Sequence, residues 1–359
     1  MAYQRLSYIG LGSNLGDRKG FIKNALKMLS ETEELKVLRV SDIIETAALG
    51  QANQPDYLNA IAEIETTLNA TDLHNRLLYI ETVLGRTRTE KWSSRTIDLD
   101  LLLFSDKVIN SPRLTVPHPQ MHLRSFVLNG LCQLNAELLH PVIKESMDKL
   151  KSRLAGVDFT FRADTPQLVS IAGIIGVGKT TLTRKLTKLL TSKPLFEDYK
   201  TNPFLPDVYV GRKELSLDSQ LYFLAHRKKQ LNRSLLKPGR IFFSDYIFDK
   251  ELIYAKRLLD KRQLALYKSI YQPFNAEITP PVLVIYLQDS AQKCLQRIHK
   301  RNRPYEQKIE QEFLEALSRD YEQLLDHWKT SPVIRISMSE LNNVGINHLA
   351  EQIKSYISI

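Results

Sequence analysis

Apolar positions follow two rhythms along the 359-residue chain. Over 3–11, 35–46, 57–64 and 97–104 they alternate or run on for strand lengths. In the last of these, Leu99, Leu101 and Leu103 are expected on one face and Asp98 and Asp100 on the other. After Asp17, residues Phe21, Ile22, Ala25, Leu26 and Leu29 recur at helical spacing. A second helix is predicted over 71–84, capped by Thr71. The order βαββαβ predicts an α+β domain of ferredoxin-like arrangement. A helix over 143–154 is expected to finish it.

Gly156, Asp164 and Pro166 mark a connector, which divides the chain into domains 1–163 and 164–359. Beyond it, short buried strands are predicted at 168–173, 241–243, 283–287 and 333–336, with helices between them. That alternation predicts an α/β domain, a doubly wound parallel sheet covered on both faces. A helix over 313–328 places Phe313, Leu317, Tyr321, Leu324 and Leu325 toward the core or a partner subunit.

Composition narrows the partners. A net charge of +10 could serve nucleic acid, a membrane surface or anionic small molecules. No block of like charges and no aromatic-interleaved basic array is present, so phosphate-bearing small substrates are expected and nucleic acid is not. No apolar run reaches the roughly 20 residues of a membrane helix, and the N-terminal stretch lacks the apolar core of a signal peptide. Cys132 and Cys294 sit in apolar helical contexts and are expected as free thiols in a reducing cytoplasm.

Two stretches carry chemistry. Asp98 and Asp100 offer hard oxygen ligands that suit Mg²⁺. Just upstream lie Arg86, Arg88, Lys91, Trp92 and Arg95, cations shaped for phosphate oxygens. Carboxylates for metal beside cations for phosphate are the inventory of phosphoryl transfer. The second stretch is GIIGVGKT, 173–180, with a predicted strand before it and a helix after it. This is the phosphate-cradling loop in its structural setting. Gly173, Gly176, Gly178 and Thr181 shape it, Lys179 reaches the β/γ oxygens, and Thr180 holds Mg²⁺. The loop alone implies a nucleoside triphosphate and does not say which one.

The first domain resembles the 6-hydroxymethyl-7,8-dihydropterin pyrophosphokinases. The resemblance rests on YIGLGSNLGDR (8–18), QPDYLNA (54–60), GRTRTEKWSSRTIDLDLLLF (85–104) and LTVPHPQMHLRSF (114–126). It implies transfer of pyrophosphate from ATP to the pterin hydroxymethyl group, a step of folate biosynthesis. It further implies stacking of the pterin between Tyr57 and Phe126, contacts from Thr46, Leu49 and Asn59, and metal on Asp98 and Asp100. Arg86 and Arg95 would stabilise the transferred group, Glu81 would line the site, and Arg88, Trp92, His118 and Arg124 would serve ATP. Ala47 and Pro119 depart from the family pattern without removing a metal or phosphate ligand.

The second domain resembles the deoxynucleoside kinases, especially the bacterial purine members, through FEDYKTNPFL (196–205), LDSQLYFLAHRKKQL (217–231) and RIHKRNRPYEQ (297–307). The resemblance implies a homodimer and Glu197 as the base for the 5′-hydroxyl. It implies Gln220 and Arg227 as readers of the nucleobase, and Arg297, Arg301 and Arg303 as a lid over the transferred phosphate. One departure stands out. Family members usually carry an acidic residue followed by arginine after the strand at 241–243; here the pair is Asp245-Tyr246. Lys250 is the candidate replacement cation. Either Asp249 or Glu251 could meet the base. The reading is a fusion of two ATP-dependent transferases; the alternative is that the second domain is a regulatory nucleotide-binding module.

Overall fold

The computed structural model describes residues 4–48, 54–86, 95–160 and 164–357. They form two compact units, 1–160 and 161–359, each with its own core.

The first unit runs β1 (Arg5–Ser13), α1 (Arg18–Ser30), β2 (Leu35–Val40), β3 (Ile44–Thr46), β4 (Tyr57–Thr66), α2 (Ala70–Val83) and β5 (Asp98–Phe104). A small hairpin, β6 (Ile109–Asn110) and β7 (Thr115–Val116), then leads to α3 (Ser125–Asn135) and α4 (Met147–Ser152). Its main sheet is antiparallel in the order β2-β4-β1-β5, with β3 also on β4. One face packs Ile9, Leu11, Ile64, Leu99 and Leu101 against α1 and α2. The other packs Tyr8, Ile61, Leu102 and Leu103 against α3 and α4.

Several elements differ from the sequence expectation, each for a local reason. The strand over 35–46 breaks because Ser41 pairs both ways with Ile61: its N–H donates to the Ile61 carbonyl (2.8 Å) and its hydroxyl accepts the Ile61 N–H (2.9 Å). The next N–H, of Asp42, leaves the ladder for Gln133 Oε1 (2.9 Å). Asn69, not Thr71, caps α2; its side chain accepts the Asp72 N–H at 3.0 Å. The helix over 143–154 shortens to α4 because His140 Nδ1 accepts the N–H groups of Val142 and Ile143, bending the chain until Ser146 caps it. Leu103 faces α3, not the side of Leu99 and Leu101. The β1–β5 register shifts between Tyr8 and Ile9, pairing Tyr8 with Leu103 and Ile9 with Leu101, so Leu102 is an inserted bulge residue.

The second unit runs β8 (Gln167–Ala172), α5 (Lys179–Leu189), β9 (Lys193–Leu195), α6 (Leu205–Tyr209), α7 (Ser216–Gln230), β10 (Ile241–Ser244), α8 (Lys250–Leu258) and α9 (Lys261–Glu277). It continues through β11 (Leu283–Gln288), α10 (Ala291–Arg301), α11 (Gln311–Asp326), β12 (Val333–Ser337) and α12 (Met338–Lys354). All five strands are parallel, in the order β12-β11-β8-β10-β9. The central strand β8 is buried throughout, and its one hydroxyl, on Ser170, shares a hydrogen bond with the Ser244 hydroxyl at 2.8 Å. The phosphate-cradling loop leaves the carboxyl end of this strand, where open α/β sheets place their ligands. On α11, Leu314, Leu317, Tyr321 and Leu325 are buried, whereas Phe313 lines the cavity described below.

His140 gives a test of the first unit. It is 4% exposed, and burial together with the neighbouring His122 charge pushes its imidazole down to about 3 from an ordinary 6.5. The unfolded chain then binds a proton that the native state refuses, so stability is whole above pH 6.5 and is lost as pH falls toward 3. By pH 5 this group alone costs about 2 kcal/mol. His140→Asn, whose side-chain oxygen can accept the same two N–H groups, should flatten the loss between pH 7 and 5 in denaturant titrations followed by circular dichroism.

Candidate functional site

The first site is built across three strands at one level of the sheet. Gly12 pairs with Asn59 on one side and with Asp98 on the other. Directly paired residues point to the same face, so Asn59 and Asp98 flank a position with no side chain. A Cβ at Gly12 would lie 3.1 Å from Asn59 Oδ1 and 3.6 Å from the Tyr57 ring, filling the floor between them. Two residues along, Gly10 pairs with Asp100. Asn59 Nδ2 donates to Thr46 Oγ1 at 2.8 Å, which ties β3 to the same level. Tyr57 begins β4, and its phenol is raised by burial within reach of the charges of Arg95, Asp98, Arg86 and Arg124.

Cations crowd the two acids. Arg86 Nη1 lies 2.6 Å from Asp98 Oδ1 and also contacts Glu81, and Arg95 Nη1 lies 2.8 Å from Asp98 Oδ2. Arg124 reaches Asp100 at 3.5 Å and His118 Nε2 stands 3.9 Å from it. Glu81 is 2% exposed; burial pushes its carboxyl up to about 7, and its Oε1 accepts the N–H of Leu99, between the two aspartates, at 2.7 Å. Burial and the Asp100 charge raise Asp98, against the three arginines. The same desolvation, opposed by Asp100, lowers His118. Asn14, which the motif reading passed over, is 1% exposed and accepts the Arg95 N–H on its Oδ1 at 2.8 Å. Phe126, near the start of α3, packs on the core of that face. Leu49, Arg88, Lys91 and Trp92 lie outside the described residues.

This acid pair fits Mg²⁺. Among the described residues no group of three or more metal-ligating side chains is assembled. Mg²⁺ commonly takes one or two carboxylates and completes its shell with water and substrate phosphate. Asp98 and Asp100 supply that number, and their mutual repulsion is what a cation would relieve.

In the second unit a cavity of about 640 Å³ opens over the phosphate-cradling loop. Gly176, Gly178, Lys179, Thr180 and Thr181 line it; Gly173 does not. Gly173 packs behind the loop, and Lys179 Nζ donates to the carbonyls of Gly173 (2.8 Å) and Ile174 (2.9 Å). Gly176 is obligatory: its φ is +81°, and a Cβ there would sit 2.5 Å from the Cys294 carbonyl oxygen. Burial draws the Lys179 ammonium down to about 8. Thr180 donates its hydroxyl to Asp245 Oδ2 at 2.6 Å, which leaves its lone pairs for a hard cation.

Across the cavity stands Glu197, two residues beyond β9. Its N–H donates to Asp245 Oδ1 at 2.8 Å. Lys250 Nζ donates to both of its carboxylate oxygens at 2.7 Å, and Arg227 contacts it as well. Burial, then the Arg227 and Lys179 charges, press the Lys250 ammonium well below its usual range. Gln220 and Arg227 both line the cavity from α7. Arg227 also pairs with Glu251, a fully buried acid that accepts from the Tyr267 hydroxyl. Asp249 turns away to Tyr271 (3.1 Å). Of those two acids, Glu251 is therefore the one beside Arg227. Arg297 pairs with Asp289 and donates to the Gly176 carbonyl at 3.3 Å. Arg301 and Arg303 share Glu306, at 2.6 and 3.1 Å. Glu306 went unnoticed in the sequence because only its shared contact with two lid arginines distinguishes it.

Comparison with known proteins assigns both units. The family model for 7,8-dihydro-6-hydroxymethylpterin-pyrophosphokinase matches residues 8–136, and that for deoxynucleoside kinase matches residues 169–358. The 2-amino-4-hydroxy-6-hydroxymethyldihydropteridine pyrophosphokinase of Bacillus subtilis is 43% identical over 141 residues, 39% of this chain and 82% of the relative. The deoxyguanosine kinase of the same organism is 39% identical over 162 residues, 44% of this chain and 78% of the relative. A deoxyadenosine kinase structure from M. mycoides superposes with a TM-score of 0.47 at 25% identity, covering 53% of this chain and 99% of its own. The chain thus belongs to the hydroxymethyldihydropterin pyrophosphokinases through its first unit and to the deoxynucleoside kinases through its second.

Proposed function

We propose that the chain carries two separate ATP-dependent transferase sites. The first moves pyrophosphate from ATP to 6-hydroxymethyl-7,8-dihydropterin for folate synthesis. The second phosphorylates the 5′-hydroxyl of a deoxynucleoside. The observation that carries this reading is common to both units: carboxylates and phosphate-binding cations from distant segments converge on one place.

In the first site the pterin lies over Gly12, held by Asn59, Thr46 and Leu49 and stacked between Tyr57 and Phe126. Its hydroxyl oxygen attacks the β-phosphorus of ATP and AMP leaves. Arg86 and Arg95 exchange Asp98 for the oxygens of the transferred group and neutralise charge as it develops. Arg88, Trp92, His118 and Arg124 serve the ATP side. Mg²⁺ held by Asp98 and Asp100, and by Thr180 in the second site, would screen the phosphate charges when bound. We read the strand order of this unit as the ferredoxin-like arrangement, which brings Asp98 and Asn59 to either side of β1.

In the second site Glu197 takes the proton of the 5′-hydroxyl, whose oxygen attacks the γ-phosphorus as ADP leaves. Lys179 and the loop N–H groups hold the phosphates. Arg297, Arg301 and Arg303 trade Asp289 and Glu306 for the transferred group. Asp245 fixes Thr180 and Glu197 together. Lys250 is the counter-charge of Glu197. Gln220 and Arg227, the latter backed by Glu251, read the base edge; the similarity to a deoxyguanosine kinase supports a purine. The module reading rested on Tyr246, and Tyr246 is not part of the cavity lining. Two free thiols fit a reducing cytoplasm, where we place the enzyme as a homodimer through its second unit.

The test uses purified protein with Mg²⁺ and ATP, offering the pterin and each deoxynucleoside in separate assays. AMP should form with the first and ADP with a purine deoxynucleoside. Asp98→Asn should lower AMP release by about 100-fold or more while leaving ADP release intact; substantial AMP release by this variant would remove Asp98 from the site. Lys250→Ala should slow ADP release about tenfold or more with ATP binding retained. An unchanged rate would dismiss Lys250 as the counter-charge.

A further inference from the structure

Tyr246 stands directly after Asp245, at the end of β10, yet its ring is fully buried in the core of the second unit. Its hydroxyl donates to Gln230 Oε1 at 2.5 Å. Gln230 Nε2 in turn donates to the carbonyl oxygen of Phe196 at 3.0 Å. Phe196 is the residue before Glu197. Three segments remote in sequence are thereby joined: the end of β10, the last turn of α7, and the chain just past β9. The same ring lies under the Arg227 guanidinium, 5.5 Å from centroid to Cζ, with the Phe223 ring at 4.7 Å. From the other side, Asp245 takes the Glu197 N–H, and the Tyr246 carbonyl accepts from Ser244 at 2.7 Å. Burial raises the phenol, so it stays protonated and remains a donor.

Resting on the kinase reading above, we infer that Tyr246, acting through Gln230, is a positioning residue for Glu197. The peptide that carries the base is gripped on both sides, by Asp245 at its N–H and by the Tyr246–Gln230 strut at the carbonyl one residue earlier. The strut also fixes the spacing between Glu197 and Arg227, because Gln230 lies three residues beyond Arg227 on α7. Base and nucleobase reader are therefore set by one phenol. A cation at position 246 would be fully buried beneath Arg227, so this position favours a neutral ring.

The experiment measures kcat and KM for deoxynucleoside and ATP in the wild type, Tyr246→Phe, Gln230→Met and the double variant. Loss of registry between a base and its substrate lowers turnover more than binding, so each single variant should lose about tenfold in kcat with the KM for ATP unchanged. The double variant should be no slower than either single one, because both break the same strut. Tyr246→Arg should be slower than Tyr246→Phe. Should Tyr246→Phe fail to fold, Gln230→Met decides, since Gln230 is only half-buried. A wild type active on a deoxynucleoside, with single variants equal to it in kcat and changed only in melting temperature, overturns the strut alone. Losses that add in the double variant also overturn it. A wild type inactive on all four deoxynucleosides overturns the kinase reading as well.

Discussion

Both proposed sites rest on one physical constraint: a carboxylate with little access to water has to be held by cations. Asp98 sits between Arg86 and Arg95, and Glu197 between Lys250 and Arg227. One cation of each pair is shared with another acid, Glu81 behind Arg86 and Glu251 behind Arg227. The outer acids are almost wholly buried. They fix where the arginines stand, and the arginines fix the working carboxylates. On the proposed reading, substrate phosphate or hydroxyl would enter a set of charges already in place, so little reorganisation would be needed at the moment of transfer.

The two folds meet this constraint in different ways. In the antiparallel sheet, Gly10 and Gly12 of the inner strand β1 clear a floor, and the paired strands raise Asn59, Asp98 and Asp100 around it. In the parallel sheet, the central strand β8 ends in a loop that lines a cavity, and the helices after β9 and β10 bring Arg227 and Lys250 to its far wall. The first arrangement relies on register and the second on the carboxyl ends of strands. A shift of register in β5 would move Asp98 and Asp100 away from the glycines. The bulge at Leu102 lies on the far side of Asp100 from Asp98 and leaves that pairing intact.

What was legible in the sequence follows from how local each feature is. The faces of Asp98 and Leu99 followed from alternation, and the phosphate-cradling loop from its own eight residues. Leu103 was misplaced because a bulge is a property of two strands, and the alternation of one strand does not contain it. Thr71 is a plausible cap by residue type, but the helix already begins at Ala70, and the extended Asn69 before it accepts the Asp72 N–H. Glu251 against Asp249 was undecidable in sequence because the choice is made by Arg227, in a helix more than 20 residues away. Tyr246 looked like a lost cation; its partner Gln230 and the Phe196 carbonyl become adjacent only in the folded sheet.

The most direct test of the central claim is ADP release by Glu197→Gln with deoxyguanosine and deoxyadenosine, followed beside AMP release with the pterin in the same preparation. Glutamine keeps the size of the side chain and removes the charge that Lys250 and Arg227 hold. The account predicts that ADP release falls by about 100-fold or more while AMP release is unchanged. ADP release near the wild-type rate would contradict it, because the second site would then work without the carboxylate around which it is built.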